Sequence, residues 1–136
     1  CPFAAHMRKS NPRNDVSPIE SVFKHSIRRH NMPYGNEVTA EERDGNGTIE
    51  ERGLHVVCYA SSIVRGFKFI QQGWYNNPDF PSNKPTQPGW DPLFGQTGEE
   101  NKNVHRFMTG ANPSSDTEVM RFPTKFIDPR GGEYFF

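Results

Sequence analysis

Apolar positions fall into short, separated groups along the chain, and their spacing predicts a mixture of elements. Pro2 to Lys9 is helix-compatible, with Pro2 tolerable only in a first turn, and Asn11-Pro12-Arg13 stops it. Ile19 to Arg29 mixes apolar and basic residues and leaves helix and strand both open. Pro33-Tyr34-Gly35 predicts a turn, and the polar stretch 39–52, with Gly45 and Gly47, predicts a loop. Leu54, Val56, Val57, Cys58 and Tyr59 form a short apolar run expected to be a buried strand. Ser61 or Ser62 then caps a helix whose apolar face is Ile63, Phe67, Ile70 and Trp74, and Asn76-Asn77-Pro78 ends it. Residues 78–92 hold five prolines and predict a long irregular segment. Glu118 to Phe122 and Gly132 to Phe136 predict short strands. Alternating strand and helix point to an α+β fold.

Composition narrows this picture. The 136 residues allow one domain at most. Only Leu54 and Leu93 are leucines, so the core rests on Phe, Val and Ile, and 32% of the chain is hydrophobic. So thin an apolar stock fits a piece that folds well only with a cofactor or a partner segment. It equally fits a small, loop-rich soluble domain. Net charge is zero, from 16 basic and 16 acidic residues, which argues against a large nucleic-acid footprint. No apolar run approaches membrane-spanning length, and no signal peptide is visible. The first residue is Cys1 rather than Met, so a longer parent sequence is expected.

Candidate chemistry is sparse. Cys1 and Cys58 have no zinc-type spacing and are expected to be free, buried thiols. The triplet Asn46-Gly47-Thr48 is a glycosylation sequon in a stretch expected to be exposed. The five histidines form no HExxH-like spacing, and there is neither a phosphate-binding loop nor a GxSxG elbow. Asp44-Gly45-Asn46-Gly47 predicts a turn. These features alone describe a mixed domain and assign it no activity.

Longer motifs carry more. The opening Cys1-Pro2-Phe3-Ala4-Ala5-His6-Met7-Arg8-Lys9-Ser10-Asn11-Pro12-Arg13 resembles the proximal-haem segment of dye-decolorizing peroxidases. Ile27-Arg28-Arg29-His30-Asn31-Met32-Pro33-Tyr34-Gly35 resembles that family's distal-arginine segment, and Arg52 to Tyr59 resembles the core strand that follows. Phe67 to Asn77, Gly89 to Gln96 and Arg130 to Phe136 continue the resemblance in order, and fungal members are the most similar. The resemblance implies a ferredoxin-like α+β fold: residues 1–136 would be most of the C-terminal, haem-binding half of a dimeric α+β barrel-type peroxidase. The family's GxxDG motif, which holds a distal aspartate, is absent, and Asp44-Gly45 does not replace it.

The same resemblance assigns roles. His6 matches the proximal ligand of haem b iron, and Asp91 the acid that accepts its other ring proton. The plain alternative for Asp91 is a turn residue before Pro92. Arg29 matches the distal arginine, beside bound peroxide, with Arg28 on the opposite face of a strand. Asn31 matches a distal-pocket residue of some bacterial relatives. Leu54 and Val56 match positions walling the haem access route, with ordinary core residues as the alternative. Arg8 and Arg13 are both candidates for the haem propionates. Tyr34 and Trp74 match surface oxidation sites of some fungal relatives; a turn residue and a core residue are their plain alternatives. The implied function is oxidation of dyes, phenols and other small aromatics by hydrogen peroxide, with no nucleic-acid or membrane partner. The alternative is a non-catalytic haem-binding remnant; a second is an interaction domain that binds no haem. A missing N-terminal half of the same enzyme is the expected partner, and the chain by itself is expected to be weak or inactive. A fungal source implies secretion, with a cytoplasmic location as the alternative.

Overall fold

The computed structural model describes residues 1–45, 47–96, 106–122 and 125–136. Asn46 of the sequon lies outside them. The elements run α1 (His6–Ser10), α2 (Glu20–Phe23), β1 (Arg28–Tyr34), α3 (Ala40–Gly45), β2 (Gly53–Tyr59), α4 (Phe67–Phe69), β3 (Arg106–Thr109) and β4 (Val119–Phe122). Alpha helix α4 runs straight into a π-helical segment, Ile70–Tyr75. The strands form two antiparallel pairs, β1 with β2 and β3 with β4. Helices beside antiparallel pairs make the expected α+β class. No helix among the described residues is long and apolar enough to cross a membrane.

The chain divides into two compact units: Cys1–Ser26 with Ser61–Phe136, and Ile27–Ala60. The first holds the core, where Ala4, Val22, Ile70, Trp74, Tyr75, Phe80 and Met108 are buried. The predicted apolar helix face is real, since Ile70 and Trp74 lie inside and Ile63 and Phe67 are half-buried. Helical bonding starts later than expected: Ser62 Oγ accepts only the Arg65 N–H, capping a turn that leads into α4. The proline-rich segment stays irregular because its backbone bonds across its own span and to β3 rather than in a regular ladder. Gly89 N–H donates to Pro78 O, Thr109 N–H to Pro88 O and Thr109 Oγ1 to Gln87 O. Gly89 sits at φ +104°, and a Cβ there would lie 2.2 Å from the Phe107 carbonyl oxygen, so only glycine lets β3 come this close.

The second unit is a two-stranded ribbon with α3 in the connection between its strands. Its register pairs Arg29 with Cys58, Asn31 with Val56 and Pro33 with Leu54. Directly paired residues share a face, so these six side chains line one side of the ribbon. The other side carries Arg28, His30, Met32, Tyr34, His55, Val57 and Tyr59.

Several expectations change. The β2 run is a strand but not a buried one, with Leu54 48% and Val56 39% exposed. Its composition sets the extended conformation, whereas burial needs a layer over the ribbon. Strand β1 continues through Pro33 and Tyr34, so the turn begins only at Gly35, at φ +93°. A helix, α3, replaces loop within 39–52, because Thr39 Oγ1 accepts the Glu42 N–H while the Glu42 carboxylate accepts the Thr39 N–H. Gly132 to Phe136 forms no strand, and Phe135 and Phe136 are exposed. Cys58 is half-buried and Cys1 exposed; both are free thiols.

Candidate functional site

The first unit joins two residues 85 positions apart in sequence, as His6 Nδ1–H donates to Asp91 Oδ2 over 2.8 Å. Asp91 is completely buried, and His6 keeps 22% of its side chain exposed. The other carboxylate oxygen, Oδ1, accepts the backbone N–H groups of Leu93 (2.9 Å) and Phe94 (2.7 Å). This is how the Trp-Asp-Pro turn holds its acid: Pro92 turns the chain so that the next two N–H groups point back at Asp91. The turn role and the acceptor role of Asp91 therefore coexist. The Asp91 main chain is fixed as well, by its N–H on Tyr75 O and by the buried Arg106 guanidinium on its carbonyl and that of Gly95.

The His6 ring packs against both Tyr75 and Phe94, at centroid distances of 5.5 and 5.2 Å, and those two rings stack on each other at 5.9 Å. With Nδ1 protonated, Nε2 carries the ring's free lone pair. Ser10 Oγ lies 3.2 Å from Nε2, but its one proton is well placed on the His6 carbonyl oxygen at 2.7 Å. The Nε2 lone pair is thus oriented, half-open and held in one tautomer, which suits a metal ligand. Among the described residues no three His, Cys, Asp or Glu side chains gather as ligands for a bare ion. The single ring fits a metal that brings its other ligands with it, as haem iron does.

Sequence reasoning missed Lys9. It is completely buried three residues after His6, and its Nζ donates to Trp74 O (3.2 Å) and Asn77 O (2.6 Å). Burial pulls the ammonium down to about 8, although the Asp91 and Asp79 carboxylates favour its charge. The available signal was its place one helical turn from His6, but a lysine usually reads as exposed.

The two arginine candidates separate. Arg8 Nε and Nη2 form a fork on Asp15 at 2.9 and 2.7 Å, and Nη1 donates to Cys1 O. Lys84 shares Asp15 at 2.6 Å. Burial opposes the Asp15 charge, but the bonds from Arg8 and Lys84 hold its carboxyl below the usual range. Arg8 is thus held by Asp15 and by the Cys1 carbonyl. Arg13 is exposed.

Trp74 lies inside the core of the first unit. It is only 5% exposed, stacks on Phe80 at 5.4 Å and takes the edges of His25 and Phe69. Enclosed by aromatic rings, it packs as a core residue.

In the second unit, Arg29, Asn31, Leu54 and Val56 share one ribbon face. Arg28 projects from the other, as the strand period requires. Cys58 faces Arg29; burial pushes its thiol up, and the Arg29 charge opposes that shift. Tyr34 is 38% exposed on the opposite face, with its ring 4.7 Å from that of His55. Glu42, missed in the sequence, organises the neighbouring loop. Its carboxylate takes Arg52 in a fork (2.8 and 2.9 Å) together with the N–H groups of Thr39, Ile49 and Glu50. Those donors, Arg52 first, hold its carboxyl far below the usual range.

Known proteins supply the comparison. No family profile matches the chain. Over its whole length it is 43% identical to Peroxidase 2 of Mycetinis scorodonius and 44% identical to a dye-decolorizing peroxidase of Exidia glandulosa. It spans 28% and 25% of those proteins, so it corresponds to about a quarter of each. A bacterial relative, the multifunctional dye peroxidase DyP2 of Amycolatopsis, is 32% identical. Among solved structures, an ancestral D-type dye-decolorizing peroxidase superposes with a TM-score of 0.80 and 47% identity, over 92% of this chain and 27% of that one. The enzyme of Auricularia auricula-judae superposes at 0.78 with 38% identity, over 93% of this chain and 28% of its own. These structures have the ferredoxin-like α+β architecture expected for the chain. Over the stretch that it spans, the chain is similar in both sequence and fold to dye-decolorizing peroxidases.

Proposed function

We propose that residues 1–136 supply the haem-binding portion of a dye-decolorizing peroxidase that oxidises dyes, phenols and other small aromatics with hydrogen peroxide. The observation that carries the reading is the 2.8 Å bond from His6 Nδ1–H to the buried Asp91 carboxylate, which leaves Nε2 as the ligating nitrogen. Bound haem b would supply the two-electron chemistry with peroxide and its stepwise return. The chain's own residues then have separate tasks. His6 Nε2 holds the iron, and Asp91 keeps the ring in one tautomer and makes it more basic. Arg29 offers a fixed cation to peroxide, with Asn31 beside it on the same ribbon face. Leu54 and Val56 line the access route, Arg8 or Arg13 pairs with a propionate, and Tyr34 gives electrons at the surface. An aspartate from the rest of the enzyme moves the peroxide proton.

A haem titration of the chain, read in the Soret region for wild type and His6→Ala, tests this. The expected result is a Soret band that depends on His6, with peroxide turnover once the rest of the enzyme is restored. A band without turnover in the restored enzyme would support a non-catalytic haem-binding protein instead. No His6-dependent band, even with the rest restored, would overturn the reading.

A further inference from the structure

Helix α1 has five residues and no side-chain cap on its first turn, so it cannot fix the His6 ring by itself. What fixes it lies at one end of the neighbouring helix. The carbonyls of Trp74 and Asn77 hold Lys9 Nζ, and the carbonyl between them, that of Tyr75, holds the Asp91 N–H. Both partners of the His6–Asp91 bond therefore hang from the same helix end, His6 through Lys9 and Asp91 through its own backbone. An ammonium is a favourable group here, because the last carbonyls of a helix carry partial negative charge and lack intrahelical donors. Lys9 is also a buried cation electrostatically coupled to the buried Asp91, so it offsets the charge that accepts the His6 proton.

We infer that Lys9 is the positioning residue of the His6–Asp91 pair, setting the placement of α1 so that Nδ1–H meets Asp91 Oδ2. Its importance for catalysis rests on the haem reading above; its effect on the ring does not. Three variants of the full chain test it: Lys9→Met, which removes donors and charge at similar length, Lys9→Gln, and Lys9→Arg, which keeps both. Nitrogen-15 NMR of the haem-free chain reads the His6 tautomer and the exchange of Nδ1–H with water.

In Lys9→Met the Nδ1–H should exchange on the order of tenfold faster, as for one weakened buried hydrogen bond. The ring should sample both tautomers, and Lys9→Arg should recover wild-type behaviour at least in part. If Lys9→Met does not fold, Lys9→Gln, shorter and uncharged, is read in the same way. A folded Lys9→Met with wild-type ring signals would overturn the inference. So would unfolding of all three variants, which would leave Lys9 as a fold residue only. In the haem-loaded chain, Lys9→Met should shift the midpoint potential of the iron and Lys9→Arg should not; an unchanged potential in Lys9→Met counts against the role. Failure of the wild type to bind haem, even with the rest of the enzyme restored, would sink the haem reading alone and leave the ring measurement to decide for Lys9.

Discussion

Replacing Asp91 by Asn puts the His6–Asp91 geometry to its hardest test. The carboxylate accepts on both sides: Oδ2 from His6 Nδ1–H, and Oδ1 from the N–H groups of Leu93 and Phe94. An amide has one oxygen and one NH2, so it cannot do both. If its oxygen faces His6, the NH2 meets two backbone donors, which lose their acceptor at a combined cost of about 2–6 kcal/mol. If its oxygen stays on Leu93 and Phe94, the NH2 faces His6 Nδ1, which must become an acceptor, and the ring proton moves to Nε2. Shifting a ring proton costs less than orphaning two enclosed donors, so the second arrangement should prevail. The remaining loss, charge-assisted bonds becoming neutral ones, is about 1–2 kcal/mol. Three results should appear together in Asp91→Asn. Chemical denaturation should show that modest loss of stability. Nitrogen-15 NMR should show the Nε2–H tautomer. Haem affinity should fall about 10–100-fold, since a protonated Nε2 has no lone pair for iron. A variant that keeps Nδ1–H as its main tautomer with wild-type stability would refute this account.

Two further outcomes are expected. Glu42 has its folded-state carboxyl held far below the ordinary glutamate range, so the stability it gives is present above its unfolded value of 4.5 and is lost only as pH falls through the lower folded one. Hydrogen exchange at the Ile49 and Glu50 amides should therefore stay slow through mild acid in wild type and be fast at neutral pH in Glu42→Gln; equal protection in both would refute it. Gly89→Ala should destabilise by about 3 kcal/mol or more, because the new Cβ would sit 2.2 Å from the Phe107 carbonyl oxygen at a φ of +104°. A melting temperature within a degree of wild type would show that β3 can move aside.

How far the sequence could be read depended on the range of each interaction. Local spacing was enough for the strands at 54–59 and 119–122 and for the projection of Arg28 and Arg29 to opposite sides, since the 2-residue period is a property of the backbone. Ile70 and Trp74, four apart, stay on one face even though that stretch is wound as a π-helix. Local spacing was not enough for α3, whose start depends on reciprocal bonds between Thr39 and Glu42 inside a polar stretch that otherwise reads as loop. It also overstated Gly132 to Phe136, because a strand needs a partner as well as a propensity.

The pairing of His6 with Asp91 was legible only through a resemblance of motifs, since nothing within either segment points to the other. Burial was the least legible property. Val56 and Trp74 are both large apolar residues in well-formed elements, yet one is 39% exposed and the other 5%. Charge partners were equally hidden: Arg8 and Arg13 flank the same short motif, and only the folded chain brings Asp15 and Lys84 together at Arg8. The sequence by itself determined the strongly periodic elements, their faces and the residue types able to ligate, accept or donate, because these follow from local backbone geometry and side-chain chemistry. The tertiary structure alone decided which of those residues meet, which are enclosed and which charges are already satisfied, because each depends on segments tens of residues apart closing on the same few ångströms.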